Sequence, residues 1–467
     1  MSELFNFSPF LENFAVITDR EESLTYNRLD YYCNNLASYL DKDRIAFCLC
    51  ENVLGSLIGY VTFIREGIPV VMIDGSKDLE MLTNLASIYK PNYIWLPKHR
   101  LQEFGNSELV CIMYDYVLVT FCNEKHEKNN ELALMLTTSG STGSPKLVRL
   151  TKKNIRSNAE SIGEYLNITE DERPITTLPM HYSYGLSVIN SHLFKGATIL
   201  LTDKSIAQKD FWTFAKEQKA TSISGVPYTY EMLKLLRFFR MDLPEIKTLT
   251  QAGGKLSPDL VKEFVDNAQK SGRKFFVMYG QTEATARMSY LPFEKAAEKF
   301  KSIGIAIPGG KFSLEDLSGK EIVEPEIEGE LIYYGENVSL GYAECQSDLS
   351  NGDENNGMLH TGDIARRDSD GYFYITGRMK RFIKIYGNRV NLDDSEQIVK
   401  TITPNCACVG RDDKMIVYIT DNSLFLKIRD LLSEKTGLNN RAFEVRCIPE
   451  IPKNSSGKVQ YALLNNE

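Results

Sequence analysis

Between Leu136 and Thr151 the chain reads LTTSGSTGSPKLVRLT, a glycine- and hydroxyl-rich stretch with one lysine, placed directly after an apolar run. Residues of these types suit a polyphosphate. Glycines let backbone N–H groups converge on an anion, hydroxyls add donors, and a lysine adds positive charge. A Walker A loop would need G-x-x-x-x-G-K-[ST]. Here Lys146 follows Pro145 and Leu147 stands at the Ser/Thr position, so that pattern fails. Taken alone, the stretch is equally a surface turn.

Other stretches carry complementary groups. VMYGQTEATARM (Val277 to Met288) sets Thr282 and Glu283 just after an apolar strand. A hydroxyl there can donate to a phosphate, and a carboxylate can hold Mg²⁺. HTGDIARRDSDGYFYITGR supplies Asp363, a carboxylate suited to ribose hydroxyls, and Arg378, a fixed cation. Near the end, PKNSSGKVQY puts Lys458 on a Gly/Ser turn. Singly, Asp363 is a turn or cap residue and Lys458 a solvated lysine.

The elements that must position these groups alternate. LTYNRLDYYCNNLASYL has helical spacing through Leu29, Tyr32, Cys33, Leu36 and Leu40. RIAFCLC and IPVVMID are short buried strands of a parallel sheet, with Val53 to Arg65 as their crossover helix. ELALMLTT is another buried strand. A helix capped by Thr151 follows, its apolar face formed by Ile155, Ala159, Ile162 and Leu166. The glycine–serine stretch is thus expected to join a strand to a helix. From about residue 300, short strands with Gly and Pro turns indicate a small β-rich subdomain. The expected fold class is α/β. It has a large N-terminal domain of stacked α/β sheets (1–378) with that subdomain, plus a small α+β C-terminal domain (379–467) of strands and one helix, Leu424 to Thr436.

The chain has 467 residues, 43% hydrophobic composition and a net charge of −8. That suffices for two or three domains with real cores and argues against a general nucleic-acid binder. The N-terminus lacks the basic and apolar regions of a signal peptide, and the longest apolar stretch, Val53 to Ile64, is too short to span a bilayer. The nine cysteines show neither a zinc pattern nor a dense disulfide framework. Reduced core thiols in a cytoplasmic protein are expected.

In this order, TSGSTGSPK, YGQTEAT, HTGD, GRMKRFIKIYGNRV and SSGK resemble the adenylate-forming superfamily: acyl-CoA synthetases, adenylation domains of nonribosomal peptide synthetases, and luciferase-like enzymes. The resemblance covers nearly the whole chain. It implies ATP-dependent activation of a carboxylic acid as acyl-AMP with pyrophosphate release, then transfer to a thiol. The cofactors implied are ATP, Mg²⁺ and either coenzyme A or a carrier-protein phosphopantetheine. It implies a phosphate cradle of Thr138, Ser139, Gly140, Ser141, Thr142, Gly143 and Lys146. Thr282 would donate to the α-phosphate and Glu283 would hold Mg²⁺. Asp363 and Arg378 would take the ribose. Gly253, Gly254, Tyr279 and Gly280 would flank the nucleotide, and Lys458 would bridge carboxylate and α-phosphate. The C-terminal domain would be mobile, swinging about Lys380. The basic run Arg378, Lys380, Arg381, Lys384 and Arg389 equally suits coenzyme A phosphates, an acidic carrier surface, or a charge-protected strand edge.

LPMHYSYGLSVIN matches the acyl-pocket stretch, with His181 near the carboxylate and Tyr182, Tyr184, Gly185, Met278 and Met288 as pocket candidates. Amino-acid-activating relatives place an Asp where Gly185 stands. An unpaired ammonium is costly in an apolar pocket, so an acid without an α-amino group is expected. Val277, Leu147 and Tyr461 depart from the family pattern. Val277 replaces a residue that reads adenine, Leu147 a glycine, and Tyr461 an arginine. None removes a charge that adenylation needs. The rival readings are a non-catalytic nucleotide-binding relative, an amino-acid-activating ligase loading a separate carrier protein, and an oxidative luciferase-like enzyme. Expected partners are a small carboxylic acid and a possible acyl carrier protein in trans, without nucleic acid or a membrane span.

Overall fold

A computed structural model of the chain describes residues 4–105, 107–137, 146–316, 318–385, 388–411, 414–453 and 459–465. Among them, two large sheets stack with helices between. One sheet has eight strands, ordered Gly341–Ala343, Leu147–Thr151, Leu132–Thr137, Val70–Asp74, Ala46–Cys50, Tyr93–Pro97, Tyr116–Thr120, Glu108–Met113. The other has nine, with Phe14–Thr18, Ile199–Leu201, Pro174–Ile175, Ser222–Gly225, Thr248–Gln251 and Lys274–Tyr279 parallel through its middle.

The helices Leu54–Glu66 and Ser183–Phe194 are apolar almost all round, as helices covered on every side must be. Their side chains share one core with residues of both sheets, including Cys48, Leu134, Val16 and Leu201. The outer faces are closed separately. Leu79–Tyr89 covers the eight-stranded sheet, while Lys209–Glu217, Pro227–Leu235 and Pro258–Ser271 cover the nine-stranded one.

The expected strand–helix–strand unit is present as Ala46–Cys50, Leu54–Glu66 and Val70–Asp74. The Lys152–Tyr165 helix starts where Thr151 caps it: the Thr151 hydroxyl accepts from Asn154 N, and the Asn154 side chain accepts from Thr151 N. One element was not anticipated. Leu147–Thr151 is a strand, antiparallel to Leu132–Thr137, so the glycine–serine stretch joins two strands rather than a strand and a helix. No helix therefore follows the stretch directly.

Beyond residue 300, Lys311–Glu315, Gly329–Tyr334, Met358–Arg367 and Phe373–Arg378 form a four-stranded antiparallel sheet. From Ile383 onward the described apolar side chains form cores of their own. There the helix Phe425–Thr436 is joined by Leu392–Lys400 and Tyr461–Asn465, two helices beyond the one expected. Tyr461 takes up a structural post. Its hydroxyl donates to the buried Glu396 at 3.0 Å, and Arg381 stacks on its ring at 3.8 Å. No described helix is long and apolar enough to cross a membrane.

Candidate functional site

The five residues Tyr279 to Glu283 hold two groups of side chains together. On one side, the Tyr279 hydroxyl donates to Asp363 Oδ2 at 2.5 Å and Gln281 Nε2 donates to the same oxygen at 3.1 Å. Asp363 Oδ1 pairs with Arg378 Nε at 2.9 Å, a contact set by their facing positions on adjacent antiparallel strands. Burial, reinforced by the Asp363 charge, pushes the Tyr279 phenol well up, so it stays a donor. Gly280 lets the chain turn here, for a Cβ would stand 1.7 Å from Ala286 O.

On the other side, Thr282 Oγ1 lies 3.1 Å from Ser183 Oγ, at the start of the Ser183–Phe194 helix. Glu283 Oε1 accepts from the Tyr342 hydroxyl at 2.7 Å. Lys146, directly after the glycine–serine stretch, sets its ammonium 3.9 Å above the same Tyr342 ring and 3.2 Å from Glu344. Arg149 secures this arrangement. Fully buried, it donates to the backbone oxygens of Tyr342 at 2.9 Å, Asn351 at 2.6 Å and Leu340 at 3.1 Å. Glu283 Oε2 accepts no hydrogen bond from the described residues. An oxygen ligand of this kind fits Mg²⁺, which is ordinarily held by one or two carboxylates plus substrate phosphates.

The expected acyl-pocket residues Tyr182, Tyr184 and Met278 meet between the Ser183–Phe194 helix and the nine-stranded sheet. Tyr182 and Tyr184 meet edge to face at 6.2 Å and share a cluster with Val226, Ala252 and Met278. Gly253 is left-handed at φ 80°, and a Cβ there would come within 2.5 Å of the Tyr182 hydroxyl. Gly254 approaches Pro227. Gly185 faces the backbone, and a Cβ on it would stand 2.4 Å from Pro179 O. His181 Nε2 lies 3.9 Å from Asp74 Oδ2 at the carboxyl end of Val70–Asp74. Burial lowers the His181 pKa, and Asp74 opposes this only in part.

Not every candidate joins the group. Met288 packs into the core of the β-rich subdomain with Leu331 and Tyr333, away from Tyr182, Tyr184 and Met278. The neighbouring Arg287 faces Tyr184 in its place, with its guanidinium 4.4 Å above that ring. Val277 packs into the core on the outer face of its sheet. Thr138, Ser139, Gly140, Ser141, Thr142, Gly143 and Lys458 lie outside the described residues, as does the Lys380 side chain. Of the basic run, Arg378 and Arg381 are turned to internal acids, Arg381 to Asp393 at 2.6 Å. Tyr342, Gln281 and Arg287 were missed from sequence. Gln281 and Arg287 stand inside a stretch already singled out, and a lone cation in ATARMSY was the available signal.

The family model described as "AMP-binding enzyme" matches residues 9–343. The chain belongs to the AMP-binding enzyme family. Among curated AMP-binding relatives, a feruloyl-CoA synthase from Amycolatopsis sp is 29% identical over 56% of this chain and 52% of its own length. The chain thus spans about half of that relative. A 2-succinylbenzoate–CoA ligase from Enterococcus faecalis is 28% identical over 70% of this chain and 68% of its own. Among solved structures, o-succinylbenzoate CoA synthetase from Bacillus subtilis in complex with its acyl-adenylate intermediate has the same fold. Its TM-score is 0.81 at 20% identity, covering 99% of this chain and 98% of that one.

Proposed function

We propose that this AMP-binding enzyme activates a carboxylic acid with ATP and then transfers the acyl group to the thiol of coenzyme A. The single observation that carries the reading is the double grip of Tyr279 to Glu283. One end holds the acid Asp363, suited to a ribose diol. The other, through Tyr342, joins Glu283 to the lysine that follows the glycine–serine stretch. A nucleotide laid along this segment would meet a ribose acceptor, a hydroxyl donor and phosphate-neutralising groups in the order ATP requires.

In the first half-reaction a carboxylate oxygen attacks the α-phosphorus and pyrophosphate departs, leaving acyl-AMP. The barrier is electrostatic, because an anion must approach a polyanion. Lys146 and the hydroxyls around it answer the charge of the β- and γ-phosphates, Thr282 donates to the α-phosphate, and Lys458 neutralises the attacking carboxylate. Mg²⁺, when bound at Glu283, screens the pyrophosphate charge. In the second half-reaction a thiolate attacks the acyl carbonyl, the C–S bond forms as the acyl C–O bond breaks, and AMP departs as its phosphate anion. The C-terminal lobe turns about Lys380 between the two. Lys453, five residues before Lys458, sets its ammonium 5.6 Å from the Tyr228 ring, beside Pro227 and Gly254. That contact supports delivery of Lys458 from the C-terminal lobe to the acyl side.

The acid carries no α-ammonium. Gly185 is hemmed in by Pro179 O, so no carboxylate can stand there to receive one. The test is ATP–pyrophosphate exchange across an acid library, with mass-spectrometric detection of acyl-AMP, then addition of coenzyme A or a phosphopantetheinylated carrier. Lys458→Ala should lose adenylation by several orders of magnitude while retaining ATP binding and thiol transfer from preformed acyl-AMP. A chain that binds ATP but yields acyl-AMP with no acid is a non-catalytic relative. Acyl transfer to the carrier alone moves the acceptor from coenzyme A to phosphopantetheine.

A further inference from the structure

Arg287 is 1% exposed, yet no described carboxylate pairs with it. Its partners are neutral. Nε donates to Ser187 Oγ at 3.2 Å, Nη1 to the Tyr165 hydroxyl at 3.0 Å and to Met278 Sδ at 2.7 Å, and the Tyr184 ring lies beneath. Its backbone is fixed as firmly, since Asn158 and Asn337 both donate to Arg287 O. A buried cation held only by neutral groups retains a large desolvation penalty, which a bound anion would offset.

The guanidinium borders a cavity of about 10 Å³, lined also by Ser191, His192, Ser222, Ser224 and Thr248. That volume holds roughly one water, and its wall combines apolar side chains with serine and threonine hydroxyls. Burial holds His192 neutral, its pKa drawn down to about 4, so Arg287 supplies the positive charge among these side chains. Glu172 lines the cavity as well, but it is half-exposed, accepts the Thr221 hydroxyl and forms no ion pair with Arg287. The cavity adjoins the acyl side. Tyr182 stands at Gly253, Tyr184 follows 6.2 Å on, and Arg287 lies 4.4 Å beyond. Met278, an unbranched thioether already resting on Nη1, is the side chain that can yield to a ligand.

We propose that Arg287 is the specificity-determining anchor for a second anionic group at the far end of the substrate, so that the acid activated here is a short dianion such as a dicarboxylate. One carboxylate reacts with ATP. The other displaces Met278, enters the cavity and receives the guanidinium fork together with the serine and threonine hydroxyls. This rests on the acid-activating reading of the same site.

Succinic, glutaric and adipic acids, each paired with its monomethyl ester and with the alkanoic acid of equal length, are compared in ATP–pyrophosphate exchange. At least one diacid should exceed its ester and its monoacid by about 30-fold or more in kcat/KM. Arg287→Met should erase that preference by lowering kcat/KM for the diacid to the level of its ester, and Arg287→Lys, which keeps charge but not the fork, should retain part of it. Wild-type enzyme that uses a monoester or monoacid as well as every diacid overturns the proposal. So does an Arg287→Met variant that keeps the preference. If Arg287→Met does not fold, the wild-type comparison decides. If no acid supports exchange, the activity reading has failed. Diacid binding to wild-type and Arg287→Lys protein by calorimetry then judges Arg287 alone, and equal or absent binding refutes its role.

Discussion

Replacing Asp363 by Asn tests the nucleotide assignment most directly, because it changes charge and hardly changes shape. Asp363 is 2% exposed and receives three donors, Tyr279, Gln281 and Arg378. A carboxylate offers about four lone-pair sites, so roughly one remains for a ribose hydroxyl. A hydrogen bond to a charged acceptor contributes about 1.5–3 kcal/mol and one to a neutral acceptor about 0.5–1.5 kcal/mol. The substitution should therefore weaken ATP binding by about 1–2 kcal/mol, or roughly 5- to 30-fold. Its effect on folding should be smaller than for a fully buried ion pair. The Arg378 side chain is 60% exposed and can be resolvated, so about 1 kcal/mol is expected. Isothermal titration with ATP and with 2′,3′-dideoxy-ATP separates the two effects. The dideoxy analogue should bind wild-type protein more weakly and be indifferent to the substitution. ATP affinity unchanged within about twofold, alongside a lowered melting temperature, would make Asp363 a clamp for Tyr279 and Arg378 and refute the ribose role.

Tyr342→Phe keeps the ring beneath Lys146 and removes the donor to Glu283, so the Mg²⁺ concentration needed for half-maximal exchange should rise roughly tenfold, read by Mg²⁺ titration. Gly185→Asp should cost about 1–3 kcal/mol in urea unfolding and confer no activation of any amino acid, and a stable variant that does activate one would contradict the Pro179 contact. His192 sets a pH dependence. Its unfolded pKa of about 6.5 exceeds the folded value of about 4, so the unfolded chain binds the extra proton in that window. Stability is complete above pH 6.5 and should fall by about 3 kcal/mol as pH drops to 4. His192→Gln should flatten urea midpoints measured across that range.

Much of the architecture is written locally. Continuous apolar runs mark the strands Ala46–Cys50 and Val70–Asp74, because a strand covered on both faces has no polar side to show. Thr151 announces its helix through a cap that needs only neighbours. The strand Leu147–Thr151 was hidden because Arg149 interrupts its apolar pattern, and the oxygens that satisfy that guanidinium come from Leu340 to Asn351, nearly two hundred residues later. The same limit explains Arg287 and Met288. By residue type the methionine belongs in a pocket and the arginine outside it. The path of the chain between two cores reverses them.

The sequence by itself determined the order of most elements, the family, and the stretches proposed to meet the nucleotide, because these depend on residue types at short spacing. Only the tertiary structure decided that Tyr342 links Lys146 to Glu283, that Tyr461 secures the C-terminal core through Glu396, and that Arg287 lies buried against Tyr184. Each depends on which distant backbone or side chain satisfies a polar group once water is gone, and no short-range pattern encodes that partner.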